Sequence, residues 1–193
     1  MIRKHIVSII IILVIGGIVI YILSKKKPQD SQPEQAKLNK DEIKRKIKDY
    51  LARYYTYRNA KEKEDYRFIY GLINMRPKEF QHVEYRGNLN SFGFNRQETL
   101  VARDCLRELV YEVLKNEGIN AKAKEGITES DLMMFLTDYY EKKAKLDALL
   151  TVKRELEEKG EEFSGEKIKK CNIELEKVRR NLQDHLWSIC SPQ

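Results

Sequence analysis

An uncharged run of eighteen residues, Ile6 to Leu23, constrains this chain more than any other feature. A helix rises about 1.5 Å per residue, so the run covers roughly 27 Å, close to the hydrocarbon thickness of a bilayer. A soluble helix of that length needs a polar face, and Ser8, Gly16, Gly17 and Tyr21 do not make one. Ile6, Ile10 and Leu13 belong to a stretch rich in isoleucine, and Leu23 closes it. Arg3 and Lys4 precede the run and Lys25, Lys26 and Lys27 follow it, each able to extend its charge to a membrane interface. Tyr21 suits the headgroup layer near the far end. A cleaved signal peptide fits less well, because the apolar run is too long and no small-x-small site follows it. Gly16 and Gly17 lack the GxxxG spacing of a helix-pairing face and read as ordinary membrane-helix glycines. Residues 1–27 are therefore expected to be a transmembrane anchor with basic flanks.

The anchor also explains the charge. The chain carries 37 Lys+Arg and 30 Asp+Glu, a net charge of +7. Residues 1–27 hold five of those bases and no acid, so the remainder is almost balanced. The basic pI of about 9.1 is thus weak support for nucleic-acid binding. The lysines after the run favour, slightly, a C-terminal domain on the cytoplasmic side. Cys105, Cys171 and Cys190, an odd number without framework spacing, lean the same way.

Beyond the anchor the pattern is helical. Residues 28–38 contain two prolines and no apolar period, and read as a linker. Asn39 and Glu42 have capping-box spacing, followed by Ile43, Ile47, Tyr50, Leu51 and Tyr54 at helical intervals. A pause is expected near Asn59, then continuation through Tyr66, Ile69, Tyr70 and Ile73 until Pro77 forces an end. Residues 77–95 read as an irregular loop, with one short strand at most over 82–86. Asn95 with Glu98 opens a second helix lined by Val101, Cys105, Leu109 and Val113 and widened by Leu100, Leu106, Val110 and Leu114. Gly118 closes it, with Ile119 placed for the contact that follows a C-terminal glycine. Thr128 with Asp131 opens a third helix carrying Leu132, Phe135, Leu136, Tyr139, Leu146, Leu149, Leu150 and Leu156. A fourth is expected after Ser164, with a heptad seam of Ile168, Cys171, Leu175, Val178, Leu182, His185 and Ile189. The short 160–165 connection makes 128–193 an antiparallel helical hairpin. The fold class is all-α: a single transmembrane helix, then a small helical domain (39–127) ending in a long αα-hairpin.

Chemistry is hard to find. His5, His82 and His185 are too scattered for a metal site, Cys171 and Cys190 lie too far apart on one helix to share anything, and no GxSxG, Walker A or GxGxxG motif occurs. No cofactor, metal or catalytic residue is expected. The stretch 37–67 interleaves eleven Lys/Arg with Tyr50, Tyr54, Tyr55 and Tyr57, a pattern that can hold anionic lipid or nucleic acid. Six acids dilute it, and Tyr50 and Tyr54 share the apolar stripe, so a solvated helix face explains it better. Trp187 is expected to pack across the base of the hairpin. Loop 77–95 is the best place for specific function: Phe80, Tyr85, Phe92 and Phe94 must either fold back onto the helices or wait for a partner, and Phe92 and Phe94, two apart, would share one side of an extended segment. The sequence thus suggests a membrane-anchored adaptor or assembly factor with a bilayer and a helical protein partner, self-association being left open. A tethered binder of lipid or nucleic acid through 37–67 is second, and a membrane enzyme with an unfamiliar site third.

Overall fold

The computed structural model describes residues 32–72 and 92–191. The anchor run and its flanking lysines, the stretch expected as a strand, and Phe80 and Tyr85 lie outside the described residues. Within them are four helices and no strand: α1 (Gln32–Ile69), α2 (Arg96–Asn116), α3 (Glu129–Glu158) and α4 (Glu161–Ser188). The all-α expectation holds for these residues. No helix among them is long and apolar enough to cross a membrane. The chain divides into Met1–Leu38 and Asn39–Gln193, and the bundle described below is the second unit.

Two helix starts follow their local sequence. Asn95 caps α2 by accepting the Glu98 amide at 2.9 Å while the Glu98 carboxylate accepts the Asn95 amide at 2.7 Å. Thr128 and Asp131 do the same for α3. Each capping box satisfies two amides that a helix start leaves unpaired. Gly118, at φ 77°, ends α2 in a Schellman turn: its amide donates to Lys115 at 3.1 Å and the Ile119 amide to Leu114 at 2.8 Å.

Other boundaries depart from the expectations. α1 begins at Gln32, inside the segment read as a linker, so Asn39 does not start it. Pro33 falls in the first turn, where a missing N–H costs nothing. There is no pause at Asn59, because its Nδ2 donates to the Ala144 carbonyl at 3.0 Å and the side chain leaves its own backbone alone. The end comes at Ile69, before Pro77, in a second Schellman turn about Gly71 (φ 72°). There the Gly71 amide donates to Phe68 and the Leu72 amide to Arg67. α4 starts at Glu161 with Gly160 as an N-cap that offers no side chain, so the hairpin connection is tighter than 160–165 and Gly165 lies within the helix.

Interhelical contacts fix the directions. Phe135 meets His185 and Leu149 meets Cys171, so fourteen residues up α3 match fourteen down α4, and the two are antiparallel. Along α1, Tyr54 meets Glu141, Asn59 meets Ala144 and Arg67 meets Glu155, which makes α1 parallel to α3. Lys40 meets Glu108 and Lys48 meets Glu112, while Arg103 meets Glu129 and Lys143 meets Glu117, so α2 runs the same way. Three parallel helices and one antiparallel partner require the chain to return along the bundle between α2 and α3. Residues 117–128 make this return, pinned midway where Ala123 pairs with Cys190.

The core contains Ile43, Ile47 and Leu51 of α1, Leu106, Val110 and Leu114 of α2, Leu132, Met133, Leu136, Leu149 and Val152 of α3, and Cys171, Leu175, Val178, Leu182 and Leu186 of α4. Leu100 and Leu150, read as core, are instead 65% and 39% exposed. Each lies at the edge of a stripe wider than the neighbouring helices can cover.

Candidate partner-binding surface

The seam residues of α4 lie against the core: Cys171, Leu175, Val178, Leu182 and Ile189 are buried, and Ile168 and His185 partly so. Leu186, absent from the heptad reading, is buried with them. The His185 ring stacks on Phe135 with centroids 4.5 Å apart, and Nε2 donates to the Phe135 carbonyl at 3.0 Å. A carbonyl only accepts, so Nε2 carries the proton. Burial lowers the imidazole pKa below its ordinary value, with that hydrogen bond opposing. Cys105, Cys171 and Cys190 are free and buried, and burial pushes all three thiols upward, away from nucleophilic character.

The basic, tyrosine-rich stretch is engaged within the bundle. Lys44 bridges Glu108 at 2.8 Å and Glu112 at 2.9 Å, with Lys40 and Lys48 on either side. Tyr54 donates to Glu141 at 2.9 Å and Tyr55 to Asp147 at 2.6 Å. Burial, reinforced by Asp147, pushes the Tyr55 hydroxyl up to about 12. Arg58 pairs with Glu141, and Arg67 forks onto both oxygens of Glu155. Glu62 lies 3.6 Å from Arg58, and burial raises its carboxyl against the pull of Lys145 and Arg58. This polar clasp has no signature in sequence, since its partners come from helices more than eighty residues apart. Among the described residues no group of His, Cys, Asp and Glu could hold a metal ion.

Of the four loop aromatics expected either to fold back or to meet a partner, two are described, and both fold back onto α1. Phe92 and Phe94 stack with centroids 5.3 Å apart and planes 7° from parallel, so they do share one side. Gly93 between them adopts φ 66°, which favours glycine. Phe92 meets Tyr50 edge-on at 5.4 Å, and the Lys46 ammonium lies 5.9 Å over Phe94. Both rings are half-buried, resting on α1 with their outer edges in solvent.

The outward faces hold what sequence reasoning placed inside. Trp187 does not pack across the hairpin base; it is 47% exposed, because Leu186 takes the inward position next to it. Ile173, two heptads earlier on the same helix, is 60% exposed. Between them lies exposed Arg180. An open groove of about 470 Å³ lies between α2 and the return segment, lined by Arg107, Tyr111, Lys122, Ala123, Lys124 and Ile127, among others. No protein-family model, curated protein or solved structure matches this chain.

Proposed function

We propose that the protein is a single-pass membrane-anchored helical adaptor or assembly factor that works through protein–protein contacts. The apolar run Ile6–Leu23 supplies the anchor in this reading, and the helical bundle presents the binding faces. One observation carries it: the outer face of α4 displays Ile173, Arg180 and Trp187 to solvent while its inner face holds the seam. Tryptophan and arginine dominate the energetics of protein interfaces, and an exposed tryptophan gains most from being covered. The reading of 37–67 as a lipid or nucleic-acid surface draws on lysines and tyrosines that already pair across α1, α2 and α3. Its binding would have to compete with those pairs.

The test exchanges Ile173 and Trp187 together for Ser in the full-length chain, purified in detergent. Melting temperature and co-purifying proteins are measured on the same sample. The adaptor reading expects an unchanged melt and the loss of specific partners. Unchanged partners with an unchanged melt would remove the outer face of α4 from the account.

A further inference from the structure

The return segment contains Ala121-Lys122-Ala123-Lys124, an alternation with the period of a strand. Ala121 and Ala123 rest on the core while Lys122 and Lys124 stand in solvent. One edge of this stretch is occupied. The Lys124 amide donates to the Ile189 carbonyl at 2.9 Å, and the Ser191 amide donates to the Lys122 carbonyl at 3.0 Å. Ala123 and Cys190 therefore face each other as the non-hydrogen-bonded pair of an antiparallel bridge. In that pairing the N–H and C=O of Ala123 point the other way, to the open edge. Neither has a hydrogen-bond partner among the described residues. An unpaired backbone edge is a template for an added strand.

The surroundings select the strand that would fit. Ala123 borders the groove of about 470 Å³, which is also lined by Arg107 and half-exposed Tyr111 of α2 and by Ile127 and Leu132. Arg107, Lys122 and Lys124 outnumber the one acid lining it, Glu125. Lys124 also donates to the Ser188 carbonyl at 2.9 Å, leaving Lys122 and Arg107 as the main outward charges. The neighbouring Arg103 faces Glu129 at 3.5 Å and adds little net field. An extended segment alternates its side chains between two faces, so apolar residues could meet Tyr111 and Ile127 while acids meet Lys122 and Arg107.

We propose that this groove is the docking site for an acidic, extended segment of a partner protein, which adds as a strand to the free edge at Ala123. The site rests on the adaptor reading and gives it a second contact with a defined chemistry. Main-chain hydrogen bonds hold the segment, and charge selects it. A nucleic acid could answer the charge but has no peptide N–H and C=O to complete the edge.

The probe is a fluorescein-labelled, end-blocked peptide, Glu-Val-Glu-Val-Glu, titrated by anisotropy against the full-length chain in non-ionic detergent at low salt. Two companions keep the protein unchanged: a lysine-for-glutamate peptide, and the acidic peptide N-methylated at its central residues. The expected result is saturable binding of the acidic peptide, weakened about tenfold or more for each companion. Lys122→Glu should weaken it similarly with no change in melting temperature, since that side chain is exposed. Failure to saturate below about 1 mM would overturn the site. So would equal binding of the N-methylated peptide, which would leave a contact made by charge alone. Partner loss on exchanging Ile173 and Trp187, with no peptide binding, would overturn this site and keep the adaptor reading. Peptide binding with no dependence of partner capture on α4 would keep this site and remove only the outer face of α4.

Discussion

Helix α3 is held on two sides by different physics. Towards α4 it offers Phe135 and Leu149 to a seam of Cys171, Leu175, Val178 and Leu182, closed by a stacked His185. Towards the second half of α1 it offers Glu141, Asp147 and Glu155 to Tyr54, Arg58, Tyr55 and Arg67. Apolar burial supplies most of the stability, but it is non-directional and tolerates a slipped register. Partly buried ion pairs add little net energy, yet each is costly to leave half-made. A two-residue connection already aligns α3 with α4, whereas α1 and α3 are parallel and not consecutive in the chain. The polar clasp lies where the alignment has to be specified by the contacts themselves.

The sharpest way to break this contrast is a charge in the apolar seam. Leu182→Asp should cost about 3 kcal/mol or more, since Leu182 is buried and the new carboxylate would have no partner. A chemical melt of the full chain in detergent reads it directly. In the clasp, Glu141→Ala removes the acceptor of the Tyr54 hydroxyl and the nearer of the two carboxylates on Arg58, leaving only Glu62 at 3.6 Å, for a loss of about 1–2 kcal/mol. Removing both charges, as Arg58→Met with Glu141→Leu, should cost less than Glu141→Ala alone. A double variant worse than either single one would mean that the clasp stabilises outright.

Smaller effects sharpen the same comparison. Gly71→Ala puts a side chain at φ 72° and its Cβ 3.3 Å from the Lys167 ammonium, a flexible group that can give way. The backbone term alone then sets a loss of about 1–2 kcal/mol in the melt. Titration separates the two sides of α3 with smaller effects. His185 has a folded-state pKa below its ordinary 6.5, so the unfolded chain takes up the proton first and stability falls as pH drops below about 6.5. Glu155 is held below its ordinary 4.5 by Arg67, so its contribution is present above that value and is lost on further acidification. His185→Asn should flatten the first limb of a stability–pH curve and Glu155→Gln the second. A single limb affected equally by both would join the two interfaces into one unit.

Legibility in the sequence followed the same divide. Capping boxes at Asn95 and Thr128 and the glycine stop at Gly118 are local, and were read from neighbouring residues. The seam was read because periodicity reports burial. Asn59 misled because its side chain serves another helix, and Gly160 because it caps α4 without a side-chain signal. Trp187 misled because hydrophobic size says nothing about the side of the helix on which a residue falls; Leu186 beside it took the core position. The clasp and the free edge at Ala123 arise from pairings between distant segments, which no local pattern encodes. The candidate surface was therefore legible only at Phe92 and Phe94, whose spacing alone puts them on one side.

The central claim is that the polar pairs between helices serve the alignment of the bundle while the outer faces meet partners. Hydroxyl-radical footprinting of the full-length protein, alone and with its co-purified partner, tests it side chain by side chain. Trp187 and Ile173 should oxidise readily in the isolated chain and become protected in the complex, while Tyr54 and Tyr55 change little between the two states. Protection appearing at Tyr54 and Tyr55, with Trp187 and Ile173 oxidised equally in both states, would contradict the account.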